Sequence, residues 1–226
     1  MSRVKILSAA DVPDSVFEFR YAIYVDEMHR PQKYACNKTR TIRDPLDESA
    51  VHVVAYDGDD IVGTLRYNHL SYGPVDEYEQ LYGLHNLTEN ARLRSSLSTR
   101  FMVSPSVRSS LVPLQMMKAI SRYSAGLATP YNFIDCNAHL IEFFERFGYR
   151  KIADRLHSEY GHVSIMRVDG FDEKYLRRIR SPFLAEWRKL PADLRRQYTK
   201  LSNDLRSEMD EFDRLCAVDH RMVAAE

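Results

Sequence analysis

No apolar run in this 226-residue chain is long enough to span a bilayer and no signal peptide opens it, so a cytoplasmic protein is expected. Net charge is missing too. With 32 basic and 32 acidic residues, no global field favours nucleic acid or a membrane, and only local patches remain. Cysteine is scarce: Cys36, Cys136 and Cys216 are odd in number and lack metal or disulfide spacing, which fits a reducing compartment. His139 falls in a helical stretch with no second ligand at metal spacing, so no metal is expected. What is present is a 44% hydrophobic composition, enough for one packed unit plus an extra segment.

The order of elements can be read in part from periodicity. Residues 15–28 place Val16, Phe19, Ile23 and Tyr24 near one side of a helix that Asp14 or Ser15 can cap, and this helix is expected to open the fold. Residues 29–48 are polar and aperiodic, a long surface loop. Two β-branched runs around Asp57 and Gly58 predict a hairpin over 51–67. Residues 71–94 read as a loop with short helical turns. There follow a strand at 97–103, a helix at 113–127, a strand at 131–136, a helix at 138–147 closed by Gly148, and strands near 149–152 and 162–168. After Gly170 two charged helices are expected, 171–190 and 191–215, with Pro191 at the first helical position of the second. Nine Lys or Arg fall between Lys174 and Lys200 against Glu186 and Asp193, whereas acidic residues prevail beyond Leu201. The segment is either a solvated, self-paired helical hairpin or a docking surface for an acidic partner.

Between Ser98 and Met117 a strand, a tight loop and a helix start follow one another, a layout in which backbone N–H groups cradle phosphate. It resembles the coenzyme A loop of the GNAT acyltransferases. Arg108 stands where that loop begins, but Leu111 and Pro113 fill the places of its glycines. Phe19, Arg20, Tyr21, Tyr24, Val25 and Glu27, then Asp44 and Asp47, Gly63 and Arg66, Ser98 to Arg100, and Phe144, Gly148 and Tyr149 together resemble the N-acyl amino acid synthases. Those enzymes are relatives of the acyl-homoserine-lactone synthases.

The resemblance implies an α+β GNAT fold: a mixed central sheet flanked by helices over residues 1–170, with a C-terminal helical extension over 171–226. It also implies transfer of an acyl group from a carrier-protein thioester to the amino group of an amino acid. Carbonyl polarisation in that fold comes from a backbone N–H at a strand bulge, here Phe101, Met102 or Val103.

The side chains fit such a reading and also plainer ones. Asp44 and Asp47 can hold an ammonium, orient the first helix through Arg20, or serve as a turn device. Arg66 and Arg100 can bind a substrate carboxylate or pair internally with those aspartates. The family's acid tyrosine is Phe144 here and its glutamate is Leu97, so the leaving group either takes a proton from water, Cys136, Tyr131 or Tyr149 or departs as a thiolate. Glu27, Asp47 and Glu48 are the weak candidates for the base.

Val103, Arg108, Ser109, Ser110 and Leu111 still offer a cation, two hydroxyls and amides, enough for one phosphate. That favours an acyl-phosphopantetheine arm on an acyl-carrier protein over acyl-CoA as co-substrate, with no tightly bound cofactor. The basic segment, with Arg108, Arg122 and Arg146, would complement an acidic carrier. Phe101, Met102, Met116, Met117, Phe133 and Phe143 either line an acyl tunnel or form plain core. Two other classes remain: an aminoacyl-tRNA-dependent amide-forming transferase, and a non-catalytic GNAT-like module.

Overall fold

The structure is a computed structural model that describes residues 3–218. Its contacts divide into two compact units, one built from the chain up to Asn68 with Ser98–Ile120, the other from His69–Leu97 with the chain from Ser121 onward.

In the first unit the opening element is a strand, β1 (Arg3–Ser8), rather than the expected helix. It pairs antiparallel with β4 (Val51–Asp57), Arg3 opposite Tyr56. Most of its side chains are exposed, so as an edge strand it lacks the alternation that would have revealed it. The helix follows as α1 (Asp14–Tyr21), and the remainder of the expected span is a π-turn at Ala22–Glu27, where Met28 N–H reaches back to Ile23. Pro13, with no side-chain bond, occupies the cap expected of Asp14 or Ser15. The buried face carries Val16, Phe17, Arg20 and Tyr21, then Ile23 and Tyr24, whereas Phe19 is only half-buried.

The polar loop holds two short strands, β2 (Ala35–Cys36) and β3 (Thr41–Ile42), and a 3-10 turn at Pro45–Ser49. The hairpin forms as read: β4 pairs with β5 (Asp60–His69) from Val51 opposite Tyr67 to Asp57 opposite Asp60. Gly58 there takes φ +62, the left-handed turn conformation glycine tolerates best. In sheet order β5 is followed by β6 (Ser95–Val103), whose first three residues belong to the second unit.

In the second unit, α2 (Tyr78–Leu81) and α3 (Glu89–Arg92) are the short turns expected before β6. The helix after β6, α4, spans Val112–Gly126. β6 pairs in parallel with β7 (Tyr131–Cys136), Ser95 opposite Tyr131, and the sheet continues antiparallel through β9 (Gly161–Asp169) to β8 (Arg150–His157). This makes the sheet mixed. The helix expected at 138–147 is a 3-10 turn at Ala138–Leu140 running into α5 (Ile141–Glu145), and Gly148 follows at φ +108.

The C-terminal segment differs from the expected hairpin. Residues 171–190 form two helices, α6 (Glu173–Arg178) and α7 (Phe183–Trp187), because Pro182 interrupts them and Ser181 Oγ accepts the Phe183 N–H at 3.1 Å. Pro191 precedes the last helix, α8 (Ala192–Val218), instead of beginning it. α8 meets the preceding segment where Tyr198 stacks on Phe171 and Arg206 lies 3.7 Å from Asp172. Tyr198 and, seven residues on, Leu205, then Met209, Phe212 and Cys216 at steps of four, three and four, are all buried and form one apolar stripe. Phe212 meets Phe133 of β7 edge to face, and Ser202 Oγ donates to Asp169 at 2.5 Å. Among the described residues, no helix is long and apolar enough to cross a membrane.

Candidate active site

β6 departs from extended geometry at Arg100, which sits at φ +55. A non-glycine residue held left-handed inside a strand costs about 1–3 kcal/mol and survives only where its surroundings impose it. β6 is buried along nearly its whole length, so the left-handed φ alone marks the place, a conformation that occurs at strand bulges. Phe101, half-buried, and Met102 and Val103, buried, follow it directly.

The surroundings that impose it are ionic. Arg100 Nη2 donates to Asp44 at 3.0 Å and its Nη1 to Gln32 at 2.6 Å, while the guanidinium lies 5.4 Å from the Tyr24 ring centroid. Arg66 bonds the other Asp44 oxygen, donates through Nε to Thr99 Oγ1 at 2.9 Å, and approaches Asp47 at 3.4 Å. Arg20 binds both oxygens of Asp47 at 2.9 Å. The two aspartates cap the 3-10 turn: Asp44 accepts from Leu46 N–H, and Asp47 accepts from Asp44 N–H at 2.9 Å. The spacing of three read as a turn device is one, and it serves at the same time as the anionic half of the cluster.

Burial and the Arg20 charge push the His52 imidazole down to about 4, so it is neutral at pH 7. Burial opposes ionisation of Asp47, yet Arg20 and Arg66 outweigh it and hold its carboxyl below the usual range. The cluster gathers the guanidiniums of Arg20, Arg66 and Arg100 around the carboxylates of Asp44 and Asp47, all of them buried.

The remaining expected residues sit at the start of α4. Arg108 Nε donates to Val103 O at 2.9 Å, and its Nη2 contacts the Glu27 carboxylate at 2.7 Å. Ser110 Oγ is engaged twice, donating to Val107 O at 2.7 Å and accepting the Val112 N–H at 3.1 Å. Ser109 is exposed and Leu111 is 66% exposed. Met102, Met116 and Met117 are buried, and a Cβ on Gly63 would lie 2.7 Å from Met116 Sδ, so these methionines fill the core there. Glu48 is exposed.

In the second unit, Phe144 and Phe133 are buried and Phe143 half-buried. Tyr149 donates to Asn132 at 2.6 Å. Burial raises the Tyr131 phenol and lifts the Cys136 thiol to about 12, which makes both reluctant acids. His139 is exposed, and among the described residues no group of three or more His, Cys, Asp and Glu could hold a metal ion. Gln32, Thr99, His52 and Asn68, whose amide donates to Leu46 O at 2.8 Å, complete the cluster. No sequence signal singled out Gln32 or Asn68, each a single polar residue in a loop or strand, whereas Thr99 lies within the Ser98 to Arg100 stretch of the resemblance.

A family profile described as N-acyl amino acid synthase FeeM matches residues 15–169. No curated protein matches by sequence. Among solved structures, the CoA-dependent acyl-homoserine lactone synthase BjaI, with SAM and isopentyl-CoA, superposes at TM-score 0.62 and 18% identity, over 80% of this chain and 91% of its own. MesI, another CoA-dependent acyl-homoserine lactone synthase, does so at 0.62 and 20%, over 87% and 95%. An acyl-CoA N-acyltransferase from Pseudomonas aeruginosa reaches 0.54 at 17%, over 74% and 99%. The fold is that of the GNAT acyltransferases.

Proposed function

The chain belongs to the N-acyl amino acid synthase FeeM family and is an N-acyltransferase, and we propose that its donor is an acyl group on the phosphopantetheine arm of a carrier protein and its acceptor an amino acid. The acceptor amine attacks the thioester carbonyl. A C–N bond forms, the C–S bond breaks, and the thiol leaves as thiolate or takes a proton from water. The ammonium proton passes to solvent through ordered water.

The observation that carries this reading is the left-handed Arg100 beside the ionic cluster. A backbone N–H at a strand bulge would bind the developing oxyanion, and residues 101–103 follow the left-handed Arg100 directly. The guanidiniums of Arg20, Arg66 and Arg100, together in one cluster, would draw the acceptor's carboxylate toward residues 101–103. In this scheme Asp44 and Asp47 position those arginines. Asp47 is no base: its side chain is fully buried and held as a carboxylate by Arg20 and Arg66. Glu27 would act only after release from Arg108.

The carrier preference rests on the loop. Pro113 removes one N–H from the helix start, Ser110 spends its hydroxyl capping Val112, and the exposed Leu111 side chain would crowd a pyrophosphate that needs close approach to the backbone. One phosphate near Arg108 and Ser109 suits a phosphopantetheine arm. BjaI and MesI are CoA-dependent, so both donors belong in the test. A cytoplasmic location accords with the free thiol of exposed Cys36. Incubating the protein with acyl-loaded carrier protein and the amino acids, followed by mass spectrometry, should yield an N-acyl amino acid. Absence of any such product across common acyl lengths would sink the proposal.

A further inference from the structure

A pocket of about 710 Å³ opens between α6, α8 and the start of β8, and all of its lining except Arg150 lies beyond the family-matched residues 15–169. Its floor is apolar, the buried Phe171 ring. One wall is a single face of α8, where Thr199, Ser202, Asn203 and Arg206 recur at helical spacing. Around it stand five cations, Arg150, Lys174, Arg177, Arg178 and Arg206, against Asp172 and Glu173.

Both carboxylates are committed. Glu173 pairs with Arg177, and Asp172 caps Tyr175 N–H at 2.9 Å and lies 3.7 Å from Arg206. Among the described residues, Arg150, Lys174 and Arg178 have no carboxylate partner. Arg150 and Arg178 are instead both held against the Tyr175 ring, 4.7 and 5.1 Å from its centroid. Such stacking fixes two guanidiniums in place while leaving their N–H edges to a ligand.

We infer that this pocket binds a small molecule carrying two or more phosphate groups. Its volume is that of a ligand cavity, whereas a protein partner would need a broader and flatter surface. Three uncompensated cations match the charge of a diphosphate and exceed that of a single phosphate. Thr199 adds a hydroxyl and Asn203 an amide donor on the α8 wall.

Isothermal titration of the full chain with ATP, pyrophosphate and inorganic phosphate at fixed ionic strength tests it. ATP and pyrophosphate should bind one per chain, with inorganic phosphate at least about tenfold weaker. Lys174→Ala and Arg178→Ala should each weaken pyrophosphate binding about tenfold. Both side chains are exposed and lack a carboxylate partner, so the variants should keep the wild-type melting temperature. Arg196→Ala, an exposed cation of the same basic segment outside the pocket, should change nothing. Absence of binding at millimolar ligand, or an equal loss with Arg196→Ala, would overturn the inference. So would pocket variants that lose affinity for an acidic carrier protein when the wild type binds no phosphate compound.

Discussion

Arg20 reaches both oxygens of Asp47 through one nitrogen, at 2.9 Å each, and neither side chain has any exposure. Removing one member of such a pair leaves a buried charge uncompensated, which typically costs about 3–5 kcal/mol. Asp47→Ala strips Arg20 and also removes the acceptor of the Asp44 N–H. It should therefore destabilise by that amount in urea unfolding. A loss under about 1 kcal/mol would show that solvent reaches the cluster.

The cluster also sets a pH dependence. His52 titrates near 4 when folded and near 6.5 in a free chain, so between those values the unfolded chain binds the extra proton. Stability conferred by the neutral imidazole is complete above 6.5 and is lost as pH falls toward 4, by up to about 3 kcal/mol. Asp47, held low, extends the loss below 3.8. Asp169 works in the opposite sense: burial raises its carboxyl, so its contribution is lost as pH rises above 3.8. His52→Asn should flatten the urea midpoint between pH 6.5 and 4 by about one proton's slope; an unchanged slope would remove His52 from the account.

Gly63 is required for space. A Cβ there would meet Met116 Sδ at 2.7 Å and the Met102 carbonyl at 3.3 Å, and only the methionine can move aside. Gly63→Ala should cost about 1–2 kcal/mol and, by disturbing the strand that carries the bulge, lower turnover more than thermal stability alone would suggest. A variant with wild-type stability and turnover would contradict that packing.

The loop makes a separate demand. Leu111→Gly with Pro113→Ala restores an open backbone and one N–H, and exposed Leu111 contributes little to the core. The double variant should raise kcat/KM with acyl-CoA about tenfold while leaving carrier-protein kinetics within about twofold. Equal gains for both donors would mean that the loop does not select between them.

Much of this was legible from local pattern. The Asp57 and Gly58 turn, the strand at Tyr131–Cys136 and the helix after Arg108 announce themselves through turn chemistry and periodicity. β1 did not, since an edge strand needs a partner more than a pattern. The π-turn was hidden because its bonding leaves no composition signal, and the break between α6 and α7 lay in a Ser-Pro pair inside a run that otherwise reads as helix. The arginines and aspartates of the site were readable as types at spacings, but their pairing, Arg20 with Asp47 and Arg66 and Arg100 with Asp44, needed the strands in register. Gln32 acquires meaning only once Arg100 donates to it, and the Thr99 hydroxyl only once Arg66 reaches it from the neighbouring strand.

Donor choice is decided by kcat/KM for one acyl chain presented on carrier protein and on coenzyme A, with the same amino acid acceptor. An enzyme loaded by a carrier protein should prefer the carrier by at least about tenfold, a preference that lessens as salt screens the basic segment. Equal values, or a preference for acyl-CoA, would rule the carrier out as the selected donor.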